Sequence, residues 1–167
     1  MMQFLEQIST WLGASPIGYF AKHYEWVWPT CQILHFVGLV MLVGMVGILD
    51  LRMLGVAKGL SARPLNKFVR FGIAGFVLNI VTGVVFYAGD PLQYLHNPAF
   101  QWKMAFVALA GLNVLTFYAT GMFRRVDALG PGDDAPLGAK IIATMGLLFW
   151  FAVMYMGRML PYLGDAF

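Results

Sequence analysis

The chain has 167 residues, of which 60% are hydrophobic and only 11% charged, against about 25% charged in an ordinary soluble domain. So few charges cannot cover the surface of a soluble protein of this length, so composition points to lipid as the solvent and to one domain's worth of chain, a single transmembrane domain over 1–167. The formal net charge is only +3 and the basic residues sit at the ends of apolar runs, so no nucleic-acid partner is expected. The single cysteine, Cys31, excludes an internal disulfide and any site built from cysteines alone.

Met1 to Ala14 carries Glu6 and no Lys or Arg, which is not the pattern of a secretory signal. Phe4, Leu5, Ile8, Trp11 and Leu12 fall on one helical face, with Gln3, Glu6, Gln7, Ser9 and Thr10 opposite. The expectation is a short N-terminal helix, either lying in the membrane interface or capping one end of the bundle. Four apolar runs follow at about 30–49, 71–88, 104–123 and 141–160, each near the roughly 20 residues that cross a bilayer. Backbone groups in lipid must be bonded within their own segment, so the runs are expected to be helices. Trp28-Pro29 opens the first, Arg63-Pro64, Asn97-Pro98 and Gly130-Pro131 mark the loops, and Pro161 closes the fourth. The expected fold is all-α, an integral membrane four-helix bundle.

The distribution of basic residues sets the expected orientation. Arg52, Lys58, Arg63, Lys67 and Arg70 lie in the first loop, and Arg124, Arg125 and Lys140 in the third, eight of the 11 Lys and Arg in the chain. Lys22, Lys103 and Arg158 lie on the other side. Loops one and three are therefore expected in the cytoplasm, with both termini periplasmic, in the inner membrane of a Gram-negative host.

All three histidines, His23, His35 and His96, then fall on the periplasmic side. His35 lies inside the first span, about 10 Å below Trp28 at 1.5 Å per residue. An ionisable residue inside a membrane is a functional hypothesis by default, set against the bland alternative of an imidazole that merely bonds a neighbouring helix. Imidazole is a strong axial ligand for iron, so haem b held by His35 is the first expectation, with His96 as second ligand ahead of Met104 and Met154. Lys103 and Arg158 flank the same depth and would meet the haem propionates; the alternative is snorkelling to head groups. Copper is the rival cofactor, because Cys31 and His35 share a helix face and the chain holds 11 methionines, yet no methionine ladder lines one helix. A third reading is a cofactor-free structural subunit. None of the three implies independent catalysis; the expected partners are the bilayer, a periplasmic or membrane redox partner, and a homo-oligomer or larger complex.

Near the other membrane face, Asp50 is expected to pair with Arg70 and pin the first hairpin. Gly75, Asn79 and Gly83 form a stripe that would permit close helix approach, and Asn113, Thr116 and Thr120 form a polar seam on the third helix.

Leu34-His35-Phe36-Val37-Gly38, Leu49-Asp50-Leu51-Arg52, Asn97-Pro98-Ala99-Phe100-Gln101 with Lys103, and Met156-Gly157-Arg158 before Pro161-Tyr162 resemble a family of small, mostly uncharacterised bacterial four-helix membrane proteins. That family is distantly similar to the copper-resistance D membrane proteins and to b-type cytochrome bundles, and the likeness covers most of residues 28–162. From the cytochrome side it implies that His35 ligates haem with Lys103 and Arg158 beside it, and from the copper side, periplasmic copper handling. The chain departs from the di-haem pattern in having no histidine in the second, third and fourth spans, which leaves at most one haem.

Overall fold

The computed structural model describes residues 2–163. In chain order the helices are α1 (Met2–Gly13), α2 (Pro16–His23), α3 (Val27–Leu54), α4 (Ala62–Asn66), α5 (Val69–Gly89), α6 (Pro91–His96), α7 (Pro98–Ala119), α8 (Met122–Asp127) and α9 (Leu137–Met159). The chain is all-α over the described residues, and α3, α5, α7 and α9 are long and apolar enough to cross a membrane.

The third span differs most from its apolar run. Asn97 caps α7, its side-chain oxygen accepting from the backbone N–H of Ala99 at 2.9 Å and of Phe100 at 3.3 Å, with Pro98 in the first turn. Proline costs nothing there because its missing N–H would be unbonded anyway. The helix thus starts before the apolar run does and takes Trp102 and Lys103 into its body. It stops early at Gly121, whose φ of 68° no side chain adopts cheaply.

The long helices pack as two hairpins, α3 with α5 and α7 with α9, joined along α3 and α9. The tightest seam is between α3 and α5. A Cβ built on Gly75 would lie 2.5 Å from the Gly38 carbonyl oxygen and 2.7 Å from Met41 Cβ. Asn79 belongs to this seam, its Nδ2 lying 2.8 Å from a Cβ built on Gly38, whereas one built on Gly83 meets nothing within 4 Å. The expected stripe is therefore a contact for Gly75 and Asn79 only. A core of Leu42, Ala110, Trp150 and Val153, with Phe76 against it, ties the hairpins together.

At the α4/α8 end, loops one and three are stitched to each other. Arg52 is fully buried, donating from Nε to the Leu60 carbonyl at 2.5 Å and from Nη2 to the Gly130 carbonyl at 2.7 Å. Backbone bonds join Ala62 to Leu129 and Gly132 to Lys58, and Asn66 bonds Asp127. The expected Asp50–Arg70 pair does not form. Asp50 is buried against α9, while the Arg70 guanidinium lies over the Phe71 ring at 5.2 Å. Arg70 opens α5 and turns outward, so Arg52 does the pinning instead. Replacing Arg52 with Met strands two carbonyls that now receive charge-assisted bonds, and should lower stability by about 3 kcal/mol, read as a lower unfolding midpoint in detergent.

Asp134 closes the same clamp, 2.8 Å from both Lys58 and Lys140. Hydrogen bonds from Lys140 and then Lys58 hold its carboxyl at about 2, below its ordinary 3.8. The folded value is the lower one, so the clamp's contribution is complete above about pH 4 and is lost as pH falls toward 2. The protection of the Gly132 amide, bonded to the Lys58 carbonyl, measured against its intrinsic exchange rate at each pH, should fall through that window, and Asp134→Asn should lower that protection at every pH.

The opposite end is covered by α1, α2 and α6. Ser9 is buried with its Oγ 2.7 Å from the Tyr87 hydroxyl, and a Cβ on Gly13 would meet Pro91 at 2.9 Å. The docked side of α1 is a narrow strip of Glu6, Ser9, Leu12 and Gly13, and Gln3, Gln7 and Thr10 are exposed. Phe4, Ile8 and Trp11 point outward, with Trp11 71% exposed, which in water would be costly and in an interfacial layer is favourable. The helix therefore caps the bundle and presents an apolar face outward. Burial and the Asp90 carboxylate push the Tyr94 phenol in α6 up to about 12, so it remains neutral.

Candidate cofactor site around His35

His35 lies eight residues after the start of α3 and Thr82 seven before the end of α5. The two helices run antiparallel, so the two side chains reach the same depth. His35 Nδ1 is 2.8 Å from Thr82 Oγ1. The threonine hydroxyl carries one proton and points it at carbonyls of its own helix, Leu78 at 2.8 Å and Asn79 at 3.3 Å. With that proton on the Leu78 carbonyl, its lone pairs are left for histidine, and the Nδ1-protonated tautomer donates to them. Nε2 then holds an unprotonated lone pair. This arrangement fixes both tautomer and ring direction, as the outer partner of a metal-ligating histidine does. Phe86 packs on the ring at 5.7 Å between centroids, tilted 62°, and is itself held by Trp28 at 5.0 Å.

Lys103 enters from α7. The Asn97 cap sets the start of that helix, and the Asn97 Nδ2 donation to the Leu160 carbonyl at 2.9 Å ties it to the end of α9. The lysine side chain crosses α9 at Gly157, its Nζ 3.5 Å from where a Cβ would be. It is half-buried, forms no ion pair among the described residues, and is close enough to act electrostatically on His35. All four long helices thus contribute to one region: His35, Thr82 with Phe86, Lys103, and Gly157.

The other expected residues lie elsewhere. His96 ends α6, its Nδ1 2.9 Å from the Leu92 carbonyl and its Nε2 3.2 Å from Glu6 of α1. Both nitrogens face partners on α1 and α6, so its imidazole serves the α1–α6 contact and is not brought to His35. His23 is stacked on Tyr19 at 3.8 Å and bonds the Tyr19 carbonyl. Arg158 is exposed, with its guanidinium 5.8 Å from the Tyr162 ring. Cys31 is free and half-buried, four residues before His35. Met104 is largely exposed, and Met154 lines a cavity between α3 and α9.

Thr82 and Phe86 were not singled out from the sequence. The signal for Thr82 was present, as the one threonine or serine of the second run, at the matching depth of an antiparallel neighbour; Phe86 had none. Among the described residues no three His, Cys, Asp or Glu side chains converge.

Four bilayer-length apolar helices define a multi-pass helical membrane protein; of the polar seam expected on the third, only Asn113 reaches a neighbouring helix, while Thr116 and Thr120 are exposed and bond carbonyls of their own helix. Residues 8–163 match DUF6644, a family of unknown function, and the chain belongs to it. No curated protein and no solved structure matches the chain. The comparisons thus show an uncharacterised family, and none of them shows the likeness to copper-resistance D proteins or cytochromes.

Proposed function

We propose that this protein is a membrane b-type haem protein that passes electrons near the periplasmic face, with His35 as its sole protein ligand to iron. The observation that carries the reading is the His35–Thr82 bond, which leaves Nε2 bare and aimed by a fixed partner. A metal held by side chains alone needs several ligands in one place, whereas a porphyrin brings four nitrogens of its own and asks the protein for one or two. The residues present suit the second demand. Lys103, without a carboxylate partner among the described residues, would supply the cation for a propionate, with Arg158 nearer the membrane surface, and Phe86 an apolar wall.

The placement follows from charge. The α4/α8 end carries eight of the 11 basic residues, so it faces the cytoplasm, and His35 lies in the periplasmic half of the bundle in the inner membrane. A haem held there by His35 would supply one-electron exchange with a periplasmic or membrane partner, the chain acting in a homo-oligomer or as a subunit.

Titration of the purified chain with haem tests this. Wild type should bind one equivalent saturably with a Soret band. Thr82→Val removes the orienting partner and should weaken binding about 10–100-fold. A parallel titration with Cu(I) covers the rival reading, favoured by the free Cys31 near His35: stoichiometric copper without a haem band would replace this proposal. Binding of neither would leave the His35–Thr82 bond as helix packing alone.

A further inference from the structure

A second intramembrane feature lies apart from His35, toward the α4/α8 end. Between α3 and α9 is a cavity of about 300 Å³ lined by Gly47, Asp50, Leu147, Trp150, Phe151 and Met154. Phe151 is 66% exposed on the outer surface of α9, so the cavity has a mouth on the lipid face, whereas Trp150 is 8% exposed and walls the interior. Asp50 is 6% exposed, and its Oδ2 is sealed with no hydrogen-bond partner. A Cβ on Gly146 would lie 3.1 Å from that oxygen and 3.2 Å from Asn113 Nδ2, so the missing side chain at Gly146 is what admits the carboxylate. Asn113 donates to the Ile142 carbonyl. Arg52, two residues on, is turned into the loops. Asp50 therefore forms no ion pair or hydrogen bond among the described residues.

A carboxylate buried in lipid without a partner is costly, and the cost is relieved by a proton or by a counter-cation that takes the proton's place. The remaining walls are apolar and aromatic, which suits the hydrocarbon of an organic cation and adds cation–π attraction from the indole. A small hydrated metal ion would find no further oxygen ligands here. We propose that this cavity is a binding site for a lipophilic organic cation, of the aryl or alkyl quaternary-ammonium class, that enters from the bilayer and sets its charge against Asp50.

The test uses the full chain in lipid nanodiscs, with benzyltrimethylammonium as the cation and neopentylbenzene as its neutral isostere, and tryptophan fluorescence as the readout. The cation should quench saturably, the signal should vanish in Trp150→Phe, and the isostere should bind at least about tenfold more weakly. Asp50→Asn should lose affinity for the cation by a similar factor and leave that for the isostere unchanged. Equal binding of cation and isostere to the unmodified chain would overturn the proposal, and so would full cation affinity in Asp50→Asn. The isostere comparison needs no substitution at Asp50, so a poorly folding variant does not shelter the claim.

Discussion

Substituting His35 with alanine should abolish haem binding, while substituting His96 with alanine should leave the haem spectrum unchanged. The two residues are chemically identical and differ only in what surrounds them. His35 donates from Nδ1 to a threonine whose own proton is committed to its helix, which leaves Nε2 free. His96 meets an acceptor at each nitrogen, the Leu92 carbonyl and Glu6. Loss of an orienting partner alone costs about 10–100-fold, so loss of the ligand itself should exceed that range. His35→Ala also removes an interhelical hydrogen bond, worth about 1 kcal/mol, and a small fall in melting temperature is expected with it. Exogenous imidazole separates the two effects: it should restore the Soret band of His35→Ala by filling the vacated space, which a merely destabilised protein would not do. In His96→Ala the expected loss is docking of α1, seen as faster proteolysis before residue 13.

Gly75→Leu should prevent α3 and α5 from docking. A single carbon at this position already falls 2.5 Å from the Gly38 carbonyl oxygen, 2.7 Å from Met41 Cβ and 2.9 Å from the Leu42 nitrogen. Two of these are backbone atoms that cannot rotate away. Overpacking by small groups costs about 1–3 kcal/mol, so Gly75→Ala should fall in that range and the leucine well beyond it. Thr82 is carried on the same helix about two turns away, so a displaced α5 also takes the hydroxyl from His35. Gly75→Ala should therefore lower both the unfolding midpoint and haem affinity. Gly83→Ala is the internal control: open space surrounds that position, and neither quantity should change.

The four spans were legible because hydrocarbon leaves the backbone no choice but helix, and length and apolarity report that directly. Helix ends were less so. The start of α7 is set by the side-chain cap at Asn97 and the end by the left-handed Gly121, both of which lie outside a hydropathy run. The side-chain partners of charged residues were the least legible. Asp50 and Arg70 are a natural pair by their places at facing helix ends, but helix rotation turns Asp50 toward Gly146 and leaves Arg70 on Phe71. Arg52, which read as one more cytoplasmic charge, is fully buried and holds two loops together. Rotation about a helix axis is weakly specified when the helix is apolar all round, as α3 and α5 are. For the same reason the sequence placed His35 at the right depth for Thr82 without revealing that they face each other.

The most direct test of the account is the visible spectrum of the purified wild-type chain reconstituted with haem. One histidine ligand predicts a saturable 1:1 complex whose ferric form is high-spin, with the sixth position open to water and to added cyanide, and whose spectrum is the same in His96→Ala. A low-spin bis-imidazole spectrum lost in His96→Ala, or no saturable haem binding by wild type, would contradict it.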